Sequence, residues 1–124
     1  MNGLLDTSVL IDLLRQYTPA DHWLQSQGEL GISRIVLLEV MEGAPTRQKQ
    51  REAANLLKKF TLVELTTNDF LWATNHLIQY HPSHNVDAFD CLIASVAHRL
   101  NLPQYTRNLK HFTPLIGSLA QRPY

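Results

Sequence analysis

The sequence lacks several features that mark large classes of protein. Its 124 residues contain one cysteine, Cys91, which excludes a framework of internal disulfides and is consistent with a reducing compartment. No apolar stretch reaches the roughly 20 residues that a membrane span needs, and the first residues lack the basic and then apolar build of a signal peptide. We therefore expect a cytoplasmic protein that does not contact a membrane.

Glycine and net charge are also scarce. The five glycines form no phosphate-binding loop, so nucleotide-dependent chemistry finds no support. Eleven basic and eleven acidic residues balance to a net charge of zero, which excludes a general attraction to the phosphate backbone of nucleic acids. Any contact with a nucleic acid must then be local, and Arg107 is one of the arginines that could supply it.

Short apolar runs alternate with segments of helical spacing along the whole chain. The pattern predicts strands at residues 3–5, 30–32 and 61–65, each followed by a helix, and a last strand at residues 104–106. The helix that begins at Thr67 should break at Pro82. This alternation predicts one α/β domain over residues 1–124, with a mostly parallel sheet between layers of helices.

Three acidic residues lie in predominantly apolar stretches: Asp6, Glu39 and Asp90. A buried carboxylate is costly without a cation or hydrogen-bond donors beside it, so each of them needs a partner. If they converge at the carboxyl end of the sheet, their oxygens would suit Mg²⁺, for which Mn²⁺ could substitute. A metal held in this way can promote hydrolysis of a phosphodiester.

Each carboxylate also has an ordinary structural interpretation. Asp6 could cap the helix that follows it, Glu39 could form a salt bridge, and Asp90 could lie in the first turn of a helix, where negative charge is favoured. Asp87, one turn before Asp90, is interpreted first as the cap of that helix, with a role as a metal ligand as the alternative.

Four segments resemble the sequence blocks of the PIN-domain family, in particular the ribonuclease toxins of the VapC kind. They are Leu-Leu-Asp-Thr-Ser-Val-Leu-Ile-Asp at residues 4–12, Ile-Ser-Arg-Ile-Val-Leu-Leu-Glu at 32–39, Asp-Cys-Leu-Ile-Ala-Ser at 90–95 and Thr-Arg-Asn at 106–108. The blocks occur in the family's order and at its spacing over nearly the whole chain. One block alone would be weak, but the four together are specific.

The resemblance implies a fold, an activity and partners. The fold would be an α/β/α sandwich, with Asp6, Glu39 and Asp90 as the catalytic and metal-binding acids. The activity would be Mg²⁺-dependent cleavage of single-stranded RNA. For short bacterial members, the resemblance also implies a homodimer and a toxin that a cognate antitoxin neutralises.

The fourth block departs from the pattern of the family. Asn108 stands at one position that is often acidic, and His111 replaces the other acid. A site with fewer carboxylates should bind cations more weakly, so we expect one ion rather than two, with Asp87 as the nearest acid able to compensate. Asn108 is expected to bond to a metal-bound water, and Thr106 is expected either to order the site through its hydroxyl or to serve as a cap.

Two other functions compete with the nuclease. With His111 in place of an acid, the protein could keep the fold and bind RNA or a partner protein without turnover. A receiver-like phosphoacceptor domain would need an aspartate at the end of a central strand near mid-chain, but residues 62–66 offer only Glu64. The receiver alternative therefore has little support.

Overall fold

A computed structural model describes all 124 residues. The elements follow one another as β1 (Gly3–Leu5), α1 (Thr7–Leu14), α2 (Thr18–Gln25), β2 (Leu30–Ser33), α3 (Arg34–Glu42), α4 (Arg47–Leu57), β3 (Thr61–Val63), α5 (Thr67–His84), α6 (Ala88–Leu100), β4 (Gln104–Tyr105), α7 (Leu109–Ile116) and β5 (Ala120–Gln121), with a 3-10 turn at Gly117–Leu119. Strands and helices alternate as the sequence predicts, and the α/β class is confirmed.

The five strands form one sheet in the order β3-β2-β1-β4-β5, and every neighbouring pair is parallel. The chain moves outward from β1 to β3 and then returns to pair β4 with the other side of β1. The order of the strands therefore reverses between β1 and β4. In open parallel sheets, such a reversal leaves a crevice at the carboxyl ends of the two strands, where ligands bind.

The helices form two groups. Helices α1 to α4 contact one another, and α5, α6 and α7 contact one another. Side chains alternate across β1 accordingly: Leu5 belongs to the larger apolar core, whereas Leu4 packs against Val96 and Ala97 of α6. The sheet lies between these layers, as in the predicted sandwich.

Local capping explains where several helices begin and end. The Ser33 hydroxyl accepts a hydrogen bond from the Val36 N–H at the start of α3, and the Asp87 carboxylate accepts one from the Asp90 N–H at the start of α6. Asn101, in the left-handed region at φ 53°, ends α6. The predicted cap at Asp87 is confirmed.

Two predictions about the elements are wrong. Helix α5 does not break at Pro82, because this proline lies in the last turn and costs little of the helix; Asn85, at φ 56°, then ends it. Residues 104–106 are not the last strand, since β5 follows and pairs with β4. No helix of the structure combines the length and the apolar character needed to cross a membrane.

Candidate metal centre

The crevice between β1 and β4 holds the first candidate acid. Asp6 directly follows β1 and is only 6% exposed, and the fully buried Thr106 directly follows β4. Asp6 Oδ2 accepts hydrogen bonds from the hydroxyls of Thr106 and Ser8, each at 2.8 Å. Although Asp6 stands at the cap position of α1, its side chain makes no capping bond. The carboxylate therefore bonds to hydroxyls of α1 and of the segment after β4, and to no backbone N–H of α1.

Glu39 lies in the middle of α3 and is partly buried. Its Oε1 accepts a hydrogen bond of 2.8 Å from the Thr7 hydroxyl, and it forms no salt bridge. Burial raises the pKa of Glu39, and the nearby charges of Asp6, Asp87 and Asp90 add to this rise, whereas the Thr7 hydrogen bond opposes it. The structure thus brings Glu39 into the field of the other acids and gives it no cation.

Asp90 lies in the first turn of α6, as predicted. Its Oδ2 accepts hydrogen bonds from the Asp87 N–H at 3.2 Å and contacts His111 Nδ1 at 3.1 Å. Burial is the largest cause that raises the pKa of Asp90; the Asp87 N–H and His111 lower it, and the charges of Asp87 and Asp6 raise it. Asp87 caps the helix and also contributes negative charge to the site.

The three carboxylates share one arrangement. In each of them, one oxygen accepts hydrogen bonds from the protein, and the other has no protein partner: Asp6 Oδ1, Glu39 Oε2 and Asp90 Oδ1. No arginine or lysine forms an ion pair with any of them. Each carboxylate is therefore oriented by hydrogen bonds to one oxygen, and its other oxygen is available to accept a ligand.

This donor set fits a hard divalent cation in its chemistry, because it consists of oxygens with uncompensated negative charge. The pKa values of Glu39 and Asp90 are raised mainly by burial, and repulsion between the like charges adds to this rise. The side chains as placed do not form a coordination shell: no three His, Cys, Asp or Glu side chains lie together closely enough to hold an ion.

The turn between β4 and α7 borders the two aspartates. The Asn108 N–H donates to the Thr106 hydroxyl oxygen at 2.9 Å, and the Asn108 amide lies 3.0 Å from His111 Nδ1. Thr106 contacts Asp6 directly, and Asn108 approaches Asp90 through His111. Both residues therefore lie at the site, as the sequence predicted.

Arg107 points away from the acids. Its guanidinium forms a 3.0 Å ion pair with Asp12 and lies 5.3 Å and 5.5 Å from the ring centres of Tyr17 and Tyr124. The Tyr124 hydroxyl also donates to Asp12, at 2.5 Å. The candidate RNA-binding arginine thus has its charge already engaged within the protein.

Sequence reasoning missed three residues that hold the acids: Thr7, Ser8 and His111. The hydroxyls of Thr7 and Ser8, at the start of α1, donate to Glu39 and Asp6. His111 was treated only as the replacement of an acid, whereas its ring contacts Asp90. The run Asp6-Thr7-Ser8 carried the signal for the first two, because hydroxyls that follow a buried aspartate can serve as its donors.

Two cavities border Glu39. One, of about 300 Å³, lies among α1, α3 and α4 and is lined by Ile11, Leu14, Arg15 and Lys49 among others. The other, of about 540 Å³, lies beside Phe89 and is lined by Ile35, Leu38, Met41 and Glu42. Leu38 and Phe89 are more than half exposed. The surface next to the acids is therefore largely apolar.

Comparison with known proteins agrees with this architecture. The PIN domain family model matches residues 3–112. Similar solved structures include a toxin-antitoxin complex from Klebsiella pneumoniae, with 24% identity, coverage of 99% of this chain and 98% of that chain, and a TM-score of 0.77. VapBC2 from Rickettsia felis bound to a DNA fragment from their promoter has 20% identity, coverage of 94% and 95%, and a TM-score of 0.79. DNA-bound VapBC from Salmonella typhimurium has 20% identity, coverage of 94% of each chain, and a TM-score of 0.77.

No individually curated protein matches the chain. At these identities, the likeness to solved structures shows the fold alone. The family model covers most of the chain, including the carboxyl ends of β1 and β4 and the three acids that converge near them. The chain belongs to the PIN-domain family.

Proposed function

We propose that this protein is a metal-dependent endoribonuclease that cleaves single-stranded RNA, and that it is the toxin of a type II toxin-antitoxin pair. The observation that carries the proposal is the arrangement of Asp6, Glu39 and Asp90, each held at one oxygen and free at the other, with no arginine or lysine to neutralise them. Buried like charges cost stability, so their presence at a ligand crevice favours a function.

Mg²⁺ is the proposed cofactor, with Mn²⁺ as a substitute. A bound ion would supply polarisation of a phosphoryl oxygen and activation of a water for attack on phosphorus. Asp6 and Asp90 would hold it with Glu39, while Asp87 would add charge from the cap of α6. One ion is proposed, because His111 provides no fourth carboxylate.

The remaining contacts set the directions of these carboxylates. Ser8 and Thr106 hold Asp6 Oδ2, and Thr7 holds Glu39 Oε1, so the second oxygen of each carboxylate has a defined direction. Such hydrogen bonds to ligand carboxylates support metal affinity in metalloproteins. The protein would thereby position a water and a phosphate with little reorganisation.

RNA and an antitoxin are the proposed partners. The resemblance of the sequence blocks implies cleavage of single-stranded RNA, and similar folds occur in toxin-antitoxin complexes from three bacteria. The apolar cavity beside Glu39, with Leu38 and Phe89 exposed and Glu42 at its wall, would suit apolar and basic side chains of a protein partner. An antitoxin on this surface would cover the acids.

A homodimer is also part of the proposal. Helix α5 exposes Phe70, Leu71 and Ile78, which are 52%, 59% and 71% exposed and lie along one side of the helix. A second copy of the chain would bury this apolar stripe. The molar mass in solution, measured by light scattering, tests this part: a monomer at micromolar concentration would contradict it.

The activity itself is tested on single-stranded RNA with purified protein. We expect cleavage with Mg²⁺ or Mn²⁺ that stops with a chelator, and a fall of at least about a hundredfold in Asp6→Asn and Asp90→Asn, because metal catalysis supplies several kcal/mol to the transition state. Both substitutions keep the shape of the side chain. Asp21→Asn and Glu42→Gln, which remove surface charges outside the trio, serve as matched controls and should cleave like the wild type.

Cleavage that persists in chelator, or unchanged rates in both aspartate variants, would contradict the nuclease proposal. The competing interpretation is a PIN-fold protein that binds RNA or a partner without turnover, and the contact of His111 with Asp90 in place of a fourth acid favours it. Retained RNA binding with no product at saturating Mn²⁺ would select this interpretation.

A further inference from the structure

Three hydrogen bonds and one close polar contact connect Asp6 to Asp90 through the segment after β4. Thr106 Oγ1 donates to Asp6 Oδ2 at 2.8 Å and accepts from the Asn108 N–H at 2.9 Å. The Asn108 amide nitrogen Nδ2 lies 3.0 Å from His111 Nδ1, and the same Nδ1 lies 3.1 Å from Asp90 Oδ2. A single turn of the chain thus contacts both aspartates, which belong to different elements.

The chemistry of these atoms fixes the tautomer of His111. An ionised carboxylate only accepts hydrogen bonds, so Nδ1 must carry a hydrogen in order to bond to Asp90 Oδ2. The Asn108 amide nitrogen faces the ring, and two donors cannot share one hydrogen bond. An Nδ1–H therefore requires the amide to be rotated about its last side-chain bond, so that its oxygen faces the ring and accepts. The neutral imidazole then has its hydrogen on Nδ1 and none on Nε2.

We propose that His111 is a positioning residue, which acts with Asn108 and Thr106 to fix the Asp90 carboxylate relative to that of Asp6. The residue thus contributes a hydrogen-bond donor at a place where the family often has an acid. The effect of His111 on metal binding rests on the function proposed above. A cation would bind to Asp90 Oδ1, so its affinity depends on the orientation of that oxygen.

The other contacts of Asp90 do not replace His111. The Asp87 N–H also donates to Asp90 Oδ2, at 3.2 Å, but Asp87 and Asp90 belong to the same turn of α6. That bond places the carboxylate within its own helix and relates it to no other element. Only the contact with His111 ties Asp90 to the segment that also holds Asp6.

The tautomer of His111 tests the proposal without metal. In the ¹⁵N-labelled wild-type protein, at a pH where the imidazole is neutral, long-range ¹H–¹⁵N spectra should show the hydrogen on Nδ1. Asp90→Ala should shift it to Nε2, the form that a histidine without such a partner prefers. A wild-type ring with its hydrogen on Nε2 would overturn the proposal.

Mn²⁺ affinity, measured by electron paramagnetic resonance, tests the consequence. His111→Leu should weaken binding by about tenfold or more, as loss of a hydrogen-bond partner of a metal ligand commonly does, whereas His111→Asn should retain most of the affinity because its amide can donate from the same place. His22→Leu, on the exposed side of α2, is the matched control. Thermal unfolding of each variant checks the fold.

The double variant Thr106→Val with His111→Leu tests the connection between the two aspartates. If one series of bonds holds both carboxylates, the second substitution should cost less affinity in the presence of the first than it does alone. Independent losses that multiply, or wild-type affinity in His111→Leu, would overturn the proposal. A wild-type protein that binds no Mn²⁺ would instead overturn the proposed nuclease function, and the tautomer would still decide the role of His111.

Discussion

The two ends of α1 carry aspartates in opposite surroundings. At its carboxyl-terminal half, Asp12 pairs with Arg107 and accepts a hydrogen bond from the Tyr124 hydroxyl. Just before its first residue, Asp6 has only hydroxyl donors and lies near two further carboxylates. The protein therefore neutralises an acid where it serves the structure, and it leaves acids unneutralised at the crevice.

A second structural acid follows the same rule as Asp12. Asp69, 2% exposed at the start of α5, shares the Arg99 Nε–H between its two oxygens, each at 3.1 Å, and also accepts a hydrogen bond from the Thr66 N–H. The comparison shows that burial alone does not distinguish the candidate site acids from structural ones. The candidate acids combine burial with like-charged neighbours and an oxygen that no protein group contacts.

The largest expected change in stability comes from removal of the arginine that pairs with a buried acid. Arg99→Met should lower the free energy of unfolding by about 3 kcal/mol, because it leaves the buried charge of Asp69 without its partner while keeping an apolar side chain. Urea denaturation at neutral pH measures it.

Arg34→Met is the control for this prediction, since the pair of Arg34 with Glu64 is exposed on both sides and should matter little. If Arg99→Met and Arg34→Met are equally stable, buried and surface ion pairs do not differ in their contribution to stability.

A smaller effect is expected at Asp12. Tyr124→Phe should lower the free energy of unfolding by about 1 kcal/mol, because it removes one donor to a partly buried carboxylate and keeps the ring beside Arg107. Chemical denaturation provides the measurement.

Tyr17→Phe is matched to it, because the Tyr17 ring also lies over Arg107 but its hydroxyl makes no hydrogen bond within the protein. If both variants lose the same stability, the ring contacts rather than the bond to Asp12 hold this region together.

The smallest expected effect is a gain in stability, whereas the two changes above are losses. Glu39→Gln in the metal-free protein should raise the melting temperature at neutral pH by an amount on the order of a few degrees, because it removes one of several charges that repel one another. Thermal unfolding without divalent ions measures it. Glu42→Gln, one turn further along α3 and exposed, is the control.

The pH dependence sharpens this prediction. The pKa of Glu39 is raised in the folded protein above its ordinary value of 4.5, so the stability that this group contributes is complete below that value and is lost as the pH rises through the raised pKa. Asp90 acts in the same direction. The decline should be shallower in Glu39→Gln; a curve that parallels the wild type, or a variant less stable than Glu42→Gln, would contradict the account.

Much of the fold was predictable because its signals are local. A strand of apolar residues, a hydroxyl or carboxylate at a helix cap, and an asparagine at a helix end act between residues a few positions apart, as at Ser33, Asp87 and Asn101. Strand β5 was missed because Ala120–Gln121 is too short to show a period. The predicted break at Pro82 was wrong because the cost of a proline depends on its position within the helix.

The candidate acids of the site could be identified from the sequence, but the side chains that contact the charged residues around them could not. Asp6, Glu39 and Asp90 were identified from their apolar surroundings and from the resemblance of the sequence blocks, and the structure brings them near one another. The engagement of Arg107 by Asp12 and Tyr124 could not be read from the sequence, because Tyr124 lies 112 residues from Asp12.

The sequence by itself determined the alternation of strands and helices, the absence of a net charge and the identity of the acids, because these depend on composition and on neighbouring residues. Only the tertiary structure decided which acids have a cation and which carboxylate oxygens stay free. Asp6 and Thr106 are 100 residues apart, and their hydrogen bond exists because β1 and β4 pair at the reversal of the sheet. Charge neutralisation is a property of distances in space, which a linear pattern does not contain.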